Sequence, residues 1–355
     1  MSAIAALGYA MKRIFELLTS ALPLVIVGGL LYAGLFIKPQ PKGGAVSKPI
    51  FERADRFYGV AAQDGGNAWL AGSNGKIVHT QDGGHSWKLQ EVSVGNVLQD
   101  IAAWDARRAV AVGNGGIVIT TSDGGHSWRS VDAPKSKIAN KLMRIKVLPD
   151  GEAWGVGEGG SILHSANFGA SWQQKGTGED AAWNDIAFKE GHAWLVGEFG
   201  RIKRSDDGGT TWQDVVGPVK TSLMSVAFKD AEHGVAVGLN GVILTSDDGG
   251  RTWARQVASS PESGGDIAPH DDHLDPAKRY ERGELEHLFD VIWDGQRWIA
   301  VGSKGVIVTG DADGLAWRGT RLSSNDRNWY TAIARVGGQY YLAGSRVITQ
   351  PIQAF

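Results

Sequence analysis

Apolar and polar residues follow two different patterns along the chain. Residues 14–37 are almost continuously apolar, and ALPLVIVGGLLYAGLFI (21–37) carries no charge. Beyond residue 49, apolar and polar residues alternate in short stretches such as LQDIAAWD and RAVAVG, separated by glycine-rich turns. About 20 apolar residues can cross a bilayer as a helix, whereas short alternations predict half-buried β-strands. The pattern therefore predicts a short N-terminal segment (1–13), a transmembrane anchor (14–37) and a β-domain (49–355).

Residues 38–48, KPQPKGGAVSK, are rich in proline, glycine and lysine and predict an extended linker. Lys12 and Arg13 precede the apolar run and Lys38 and Lys42 follow it, so charge does not indicate its orientation. A cleaved signal peptide is the alternative, but its apolar core is usually about 7–15 residues long and is followed by an A-x-A site. We expect an uncleaved single-pass anchor in the cytoplasmic membrane, with the β-domain facing the periplasm.

The motif TSDGGHSW (121–128) recurs along the β-domain. Its copies are TQDGGHSW (80–87), SANFGASW (165–172), SDDGGTTW (205–212), SDDGGRTW (246–253) and the divergent TGDADGLAW (309–317). The period is close to 40 residues, and each unit contains signals for four short strands. These features are typical of β-propeller blades. A glycine before the third strand of each unit predicts seven blades: Gly72, Gly113, Gly157, Gly197, Gly238, Gly302 and Gly344.

The seventh unit stops after its third strand. The segment PIFERAD (49–55) precedes the first unit and has no other evident partner. We expect it to supply the fourth strand of blade seven and so to close the ring, which would remove an open sheet edge.

The recurring motif has a structural explanation. Its aspartate can accept backbone N–H groups of its own turn, its glycines permit positive φ, and its tryptophan can pack between sheets. We assign these roles to Asp82, Trp87, Asp123, Trp128, Asn167, Trp172, Asp207, Trp212, Asp248, Trp253 and Trp317. In the third unit, Asn167 and Phe168 are expected to keep this turn chemistry only in part.

These residues resemble the Asp box, S/T-x-D-x-G-x-T/S-W. The run G-x-x-G-x-I-x-x-[ST]-x-D-G-G-x-[ST]-W is similar to the photosystem II stability/assembly factor family over about residues 49–350. The resemblance implies a seven-bladed propeller without catalysis that binds a membrane protein complex. Bacterial relatives outside photosynthesis are often associated with exporters of the resistance-nodulation-division (RND) type. This chain has an anchor instead of a lipobox cysteine, and an insertion, so we expect an exporter accessory subunit. A photosystem II assembly factor is the alternative.

Composition and motif content argue against several other classes of function. The formal net charge of −2 gives no electrostatic footprint for nucleic acid, and the absence of cysteine excludes disulfides and thiolate catalysis. Asp boxes also occur in sialidases, so a sialidase-like glycosidase is a third hypothesis. The F/Y-R-I-P segment of sialidases has no counterpart here, and no spacing marks a Tyr–Glu pair. We therefore expect no catalytic residues and no cofactor.

Two regions are candidate binding sites. The first strand of each blade should lie nearest the propeller axis, where we expect a channel ring of Asp100, Arg144, Asp185, Ser225, Asp290 and Thr331, with Gly59 in blade one. These residues contact either a partner or the water of an open channel. The second region is the polar insertion 259–287, a candidate partner loop with His270, Asp271, Asp272, His273, Asp275, Arg279, Tyr280 and Arg282. Metal binding by His270, Asp272 and His273 is the weaker alternative there, because H-x-x-H is not a recognised zinc spacing.

Overall fold

The computed structural model describes residues 3–36, 49–136, 139–176, 178, 180–259 and 286–351. The chain divides into two units, Met1–Pro49 and Ile50–Phe355. The predicted linker 38–48 and residues 260–285 of the insertion lie outside the described residues.

The first unit contains one helix, α1 (Ala3–Phe36), with Pro23 inside it. The helix begins within the segment 1–13 that the sequence separated from the anchor. Its stretch Met11–Tyr32 is long and apolar enough to cross a membrane, although a signal sequence would satisfy the same criterion. The apolar side chains described along this stretch are exposed.

The second unit is a seven-bladed β-propeller. The blades are formed, in chain order, by β1–β4 (Phe57–Gln63, Asn67–Gly72, Ile77–Thr80, Lys88–Leu89), β5–β8 (Leu98–Ala103, Ala109–Gly113, Val118–Thr121, Arg129–Ser130), β9–β12 (Leu142–Val147, Ala153–Gly157, Ile162–Ser165, Gln173–Gln174), β13–β16 (Trp183–Lys189, His192–Gly197, Ile202–Ser205, Gln213–Val215), β17–β20 (Leu223–Phe228, Gly234–Gly238, Ile243–Ser246, Ala254–Gln256), β21–β25 (Ala258–Ser259, Leu288–Trp293, Trp298–Gly302, Val306–Gly310, Trp317–Arg321) and β26–β28 (Tyr330–Val336, Gln339–Gly344, Ile348–Pro351). Neighbouring strands pair antiparallel, except that β21 adds to blade six parallel to β25.

The core lies between the blades rather than within one of them. The innermost strand of each blade contacts the innermost strand of the next, and β26 of blade seven contacts β1 of blade one. Between blades four and five, for example, Trp194 and Val196 pack with Leu223 and Val226. Each sheet therefore buries its two faces against its two neighbours, which explains why the middle strands are almost continuously apolar.

Ring closure differs from the sequence prediction. Blade seven has three strands, and residues 49–55 do not form its fourth. A turn in which the backbone N–H of Glu52 donates to Asp55 Oδ2 (2.7 Å) diverts this segment. Its apolar side chains pack instead, because Phe51 makes edge-to-face contacts with Phe57 and Trp87 at 5.7 and 5.9 Å between ring centroids. Trp87 in turn contacts Tyr341 of blade seven, with 6.5 Å between ring centroids, so side-chain packing closes the seam between blades one and seven.

Candidate functional site

The antiparallel order of the strands gives the propeller two different faces. The innermost strands begin on one face, which also carries the turns between second and third strands; we call it the turn face. The Asp boxes connect third and fourth strands on the opposite face, which we call the Asp-box face.

The Asp boxes are closed turns. In blade two, Asp123 Oδ1 accepts the backbone N–H of Ser127 (3.0 Å) and the hydroxyl of Thr121 (2.8 Å), while Asp123 Oδ2 accepts the Ser127 hydroxyl (2.6 Å). Gly125 N donates to Thr121 Oγ1 (3.0 Å). The Ser127 donors lower the pKa of Asp123 to about 2. The equivalent aspartates Asp82, Asp207 and Asp248 bond in the same way.

The tryptophans of the boxes lie at the blade interfaces to different extents. Four of them are buried: Trp128, Trp172, Trp253 and Trp317. Trp87 and Trp212 are half-buried. In blades three, five and six the indole N–H donates to the last glycine of its own box, as from Trp172 Nε1 to the Gly169 carbonyl (3.1 Å). The tryptophan therefore fixes its own turn as well as contacting a neighbouring sheet.

The third box makes its turn without a carboxylate. Asn167 Oδ1 accepts the Ser171 N–H (3.0 Å), and Asn167 Nδ2 donates to the Ser171 hydroxyl (2.9 Å), so the amide reproduces the bonds of an aspartate. Phe168 adopts φ +55° where the boxes of blades one, two, four and five have glycine. The Arg108 guanidinium lies 3.9 Å from its ring centroid and Trp104 packs at its edge at 5.5 Å, so packing offsets the cost of that backbone conformation.

The innermost strands share a β-bulge near their starts. In all seven, the pairing with the second strand skips one residue at the same place. The skipped residues, which we call the bulge ring, are Tyr58, Gln99, Met143, Asn184, Met224, Phe289 and Thr331. They surround the axis at the turn face, and all except Asn184 are half-buried. Neighbours touch, since Asn184 Nδ2 lies 3.7 Å from Met224 Sδ.

The predicted channel ring occupies the next layer along the axis. The structure differs from the sequence-based prediction of this ring at two points. Thr331 belongs to the bulge ring, because Ala332 occupies the position equivalent to Asp290 in blade seven. The layer is also buried rather than water-filled: Asp100, Arg144, Asp185, Ser225 and Asp290 are all at most 8% exposed. We call these five residues the polar layer.

Aspartates in alternate blades connect the polar layer. Asp100 of blade two accepts the N–H of Ile145 in blade three (3.0 Å). Asp185 of blade four accepts the N–H of Val226 in blade five (3.0 Å). Asp290 of blade six accepts the N–H of Ile333 in blade seven (2.8 Å). Each carboxylate thus satisfies a backbone donor on the edge of the following blade, which would otherwise be unpaired.

Blade one breaks this alternation, because seven is an odd number. Its position holds Gly59, where a Cβ would lie 2.6 Å from both the Cα and the Oδ1 of Asp100. Glycine is therefore required at this point by close approach of the neighbouring blade rather than by φ. The axis at this layer therefore has no room for a side chain from blade one.

The charges of the polar layer are coupled. Arg144 lies 3.3 Å from Asp185 Oδ1 through Nε and 3.6 Å from Asp290 Oδ1 through an Nη. Ser225 Oγ lies 2.8 Å from both Asp185 Oδ2 and Asp290 Oδ1, so its single O–H can donate to either carboxylate. Burial alone would lower the pKa of Arg144, but Asp185, Asp290 and Asp100 outweigh it and raise that pKa. Burial raises the pKa of Asp100 to about 6, although Arg144 and Lys146 act to lower it. The layer is therefore a buried ionic plug beneath the bulge ring.

Two tyrosines of the described residues, Tyr330 and Tyr340, form pairs with carboxylates. Tyr340 donates to Asp294 Oδ2 (2.5 Å), and burial followed by this bond raises the pKa of Tyr340 to about 12. Tyr330 donates to Asp326 Oδ2 (2.9 Å), and burial followed by this carboxylate likewise raises its pKa. Both side chains are fully buried, so neither phenol is accessible to a substrate and these two pairs serve the fold.

The predicted partner loop lies outside the described residues: His270, Asp271, Asp272, His273, Asp275, Arg279, Tyr280 and Arg282. Its candidate metal ligands therefore stay a prediction, and the residues that the structure does describe contain no group of three or more side chains suited to a metal ion. The described chain before the insertion ends with β21 of blade six at Ser259 and resumes at Glu286, which pairs with Lys304 at 2.8 Å.

Comparisons with known proteins agree with the fold and the repeat. The family model described as photosynthesis system II assembly factor YCF48 matches residues 85–180 and 172–255. A solved structure described as YCF48 bound to D1 peptide is 18% identical, with a TM-score of 0.62 over 83% of this chain and 92% of that chain. YCF48 from Cyanidioschyzon merolae is 16% identical, with a TM-score of 0.62 over 84% of this chain and 95% of that chain.

A more general likeness is to the WD40 β-propeller domain of Doa1, which is 11% identical with a TM-score of 0.61 over 86% of this chain and 96% of that chain. No curated protein matches the sequence. The solved structures establish the propeller fold, and the repeated Asp boxes together with the family model specify which propellers it resembles. The family model over residues 85–255 and the two YCF48 structures support membership of the photosystem II assembly factor-like family of β-propellers.

Proposed function

We propose that this protein is a non-enzymatic assembly factor that binds a segment of an integral membrane protein. The observation that carries the proposal is the family match together with a structurally similar YCF48 that binds a D1 peptide. The apolar helix α1 supports a place at a membrane, where such a segment is exposed during assembly. Orientation toward the periplasm stays a prediction.

The comparisons change the order of the hypotheses about the partner. They lend no support to an RND exporter, which the sequence favoured, and they fit an assembly factor of the photosystem II type better. We therefore take a D1-like subunit as the first partner to test.

The bulge ring is the proposed binding site. Its Tyr, Met and Phe side chains give an apolar and adaptable lining, and methionine in particular adjusts to irregular ligands. The ionic plug closes the axis one layer below, so a ligand binds at the mouth and does not pass through. An extended segment that places one apolar side chain at Met143, Met224 and Phe289 fits this arrangement.

A binding assay with the D1 peptide tests the proposal. The full chain in mild detergent is titrated against the labelled peptide and a scrambled peptide of the same composition. Met224→Asp should weaken D1 peptide binding at least about tenfold, because it buries a charge against the apolar ligand. Leu315→Asp, at an exposed residue on the Asp-box face, is the matched control and should bind as the wild type does.

Equal affinity for the two peptides would contradict the assembly-factor proposal. Selective binding that Met224→Asp leaves unchanged would keep the function and remove the bulge ring as its site.

A further inference from the structure

Blade four presents an unusual turn on the turn face. Phe199 stands at the centre of the turn between β14 and β15 with φ +59°, and its side chain is 65% exposed. The equivalent turns of blades one, two, three and five have Asn74, Gly115, Gly159 and Asn240, which adopt this conformation more readily, whereas that of blade six has Lys304 at φ +51°. A bulky aromatic residue therefore holds an unfavourable backbone conformation at the surface.

The other phenylalanine with positive φ shows what packing normally provides. Phe168 is half-buried and is held by Arg108 and Trp104, so its contacts stabilise the turn. Phe199 keeps 65% of its surface in water and has no such enclosure. Backbone strain that internal packing does not offset is found mainly at sites that bind a ligand.

A second exposed apolar residue belongs to the same blade. Val216 directly follows β16 and is 92% exposed, whereas Val215, which pairs with Ile202, is half-buried. The segment after Val216 runs against the turn of Phe199, since a Cβ on Gly200 would lie 2.1 Å from the Val219 carbonyl oxygen. Phe199 and Val216 therefore lie on adjoining segments of blade four, and we call these two exposed side chains the patch.

Hydrogen bonds fix the backbone of this turn, whereas the Phe199 ring is exposed. Glu198 Oε2 accepts the Ala182 N–H (2.9 Å), and the Glu198 N–H donates to the Ala182 carbonyl (3.1 Å). Both bonds join Glu198 to Ala182, which lies in the segment that leads into blade four. Exposed Lys220 follows on the same segment, and the guanidinium of Arg201 lies 4.6 Å from the Trp183 ring centroid. The patch is therefore apolar at its centre and basic at its edge.

We propose that Phe199 and Val216 form a docking surface for a folded part of the membrane protein partner, which receives Phe199 in an apolar pocket with an acidic rim. The basic edge complements such a rim, and exposed aromatics are typical anchors of protein interfaces. A rigid backbone that fixes the direction of one ring suits a pocket of fixed shape, because preorganisation reduces the entropy lost on binding. A fluid lipid surface does not need a fixed direction. This inference rests on the proposed function but concerns a different surface from the bulge ring.

The first test separates function from fold. Phe199→Asn introduces the residue that occupies the same turn position in blades one and five. It should raise the Tm of the full chain in detergent by about 1–3 °C, because it relieves strain and removes exposed apolar surface. A residue that supported the fold would instead lower the Tm when replaced.

The second test identifies the occupant. Photo-crosslinkable p-benzoylphenylalanine is placed at position 216 of the full chain in native membranes, with position 315 on the Asp-box face as control. The protein attached at position 216 is identified, purified and titrated against the wild type and Phe199→Asn. We expect at least about tenfold weaker binding by Phe199→Asn, and no recovery in the double variant that adds Asn240→Phe in blade five.

Several outcomes would overturn the inference: a lower Tm for Phe199→Asn, the same adducts at positions 216 and 315, an adduct with a second copy of the chain, or vesicle binding lost with Phe199. The D1 peptide assay keeps the two proposals distinct. If the peptide does not bind but the tenfold loss is seen, the assembly-factor proposal fails while the docking surface stands. If Phe199→Asn binds both the peptide and the purified partner normally, only the docking surface fails.

Discussion

Asp100 makes the stability of the propeller depend on pH in a direction opposite to that of most structural carboxylates. Burial raises its pKa in the folded protein from the usual 3.8 to about 6. Below pH 4 it is protonated in both the folded and the unfolded chain. As the pH rises from 4 to 6, the unfolded chain loses the proton first, so stability falls and then stays constant above 6. This difference between the folded and unfolded pKa values of Asp100 corresponds to a loss of at most about 3 kcal/mol in the free energy of unfolding.

Asp100→Asn removes that titration while its amide oxygen can still accept the Ile145 N–H. The free energy of unfolding of the variant, relative to the wild type, should increase by up to about 3 kcal/mol between pH 4 and pH 7. Urea denaturation of both full-length proteins in the same detergent, at half-unit steps from pH 4 to 8, measures the difference.

Asp123→Asn is the matched control, because the pKa of Asp123 is lowered to about 2 and its titration affects stability only below about pH 4. A difference between Asp100→Asn and wild type that stays constant from pH 4 to 8 would refute the argument. So would a difference of the opposite slope, in which the wild type gains stability relative to the variant as the pH rises.

The remaining predictions concern the turns, the seam and the insertion. Asp123→Ala should reduce the free energy of unfolding by about 1–2 kcal/mol at pH 7, because the Ser127 N–H loses its acceptor; an unchanged urea midpoint would argue against this role. Phe51→Ala should cost about 1–3 kcal/mol by removing the edge-to-face contact with Trp87, whereas full tolerance would show that the seam does not need it. Replacement of residues 260–285 by a short Gly-Ser turn should leave the Tm almost unchanged, since surface loops change length at small entropic cost. Lost partner binding in that deletion would support the predicted partner loop.

The Asp boxes could be predicted from the sequence because their chemistry is local. All the bonds that close the turn at Asp123 join residues within four positions of each other. The motif, its glycines and its tryptophan therefore form the same turn wherever they occur. Their period of about 40 residues predicted β-propeller blades, and the glycines before the third strands predicted seven of them. Asn167 shows the limit of this reasoning. The sequence predicted that its amide would replace the aspartate only in part, but it bonds to Ser165 and Ser171 at every equivalent point of the turn, donating to the Ser171 hydroxyl where an aspartate accepts.

The features around the axis depend on contacts between blades. Thr331 was placed one residue out of register because the bulge has no sequence signal, and only the pairing of Tyr330 with Gly344 and of Ala332 with Ala343 reveals it. The sequence likewise has no signal for the burial of the polar layer. Asp100 and Ile145 lie 45 positions apart, so nothing in either segment indicates that one satisfies the other.

The sequence by itself determined the repeat, the strands, the turns and the apolar N-terminal run, because each depends on side chains a few positions apart. The tertiary structure alone decided how the ring closes, which residues surround the axis and how their charges are shared. Thr331 donates to the Tyr58 carbonyl across 273 positions of chain, and Trp87, against which Phe51 packs, contacts Tyr341 across the seam where strand pairing was expected. Such contacts form only when all seven blades are in place, since each blade buries its faces against neighbours that its own sequence does not specify.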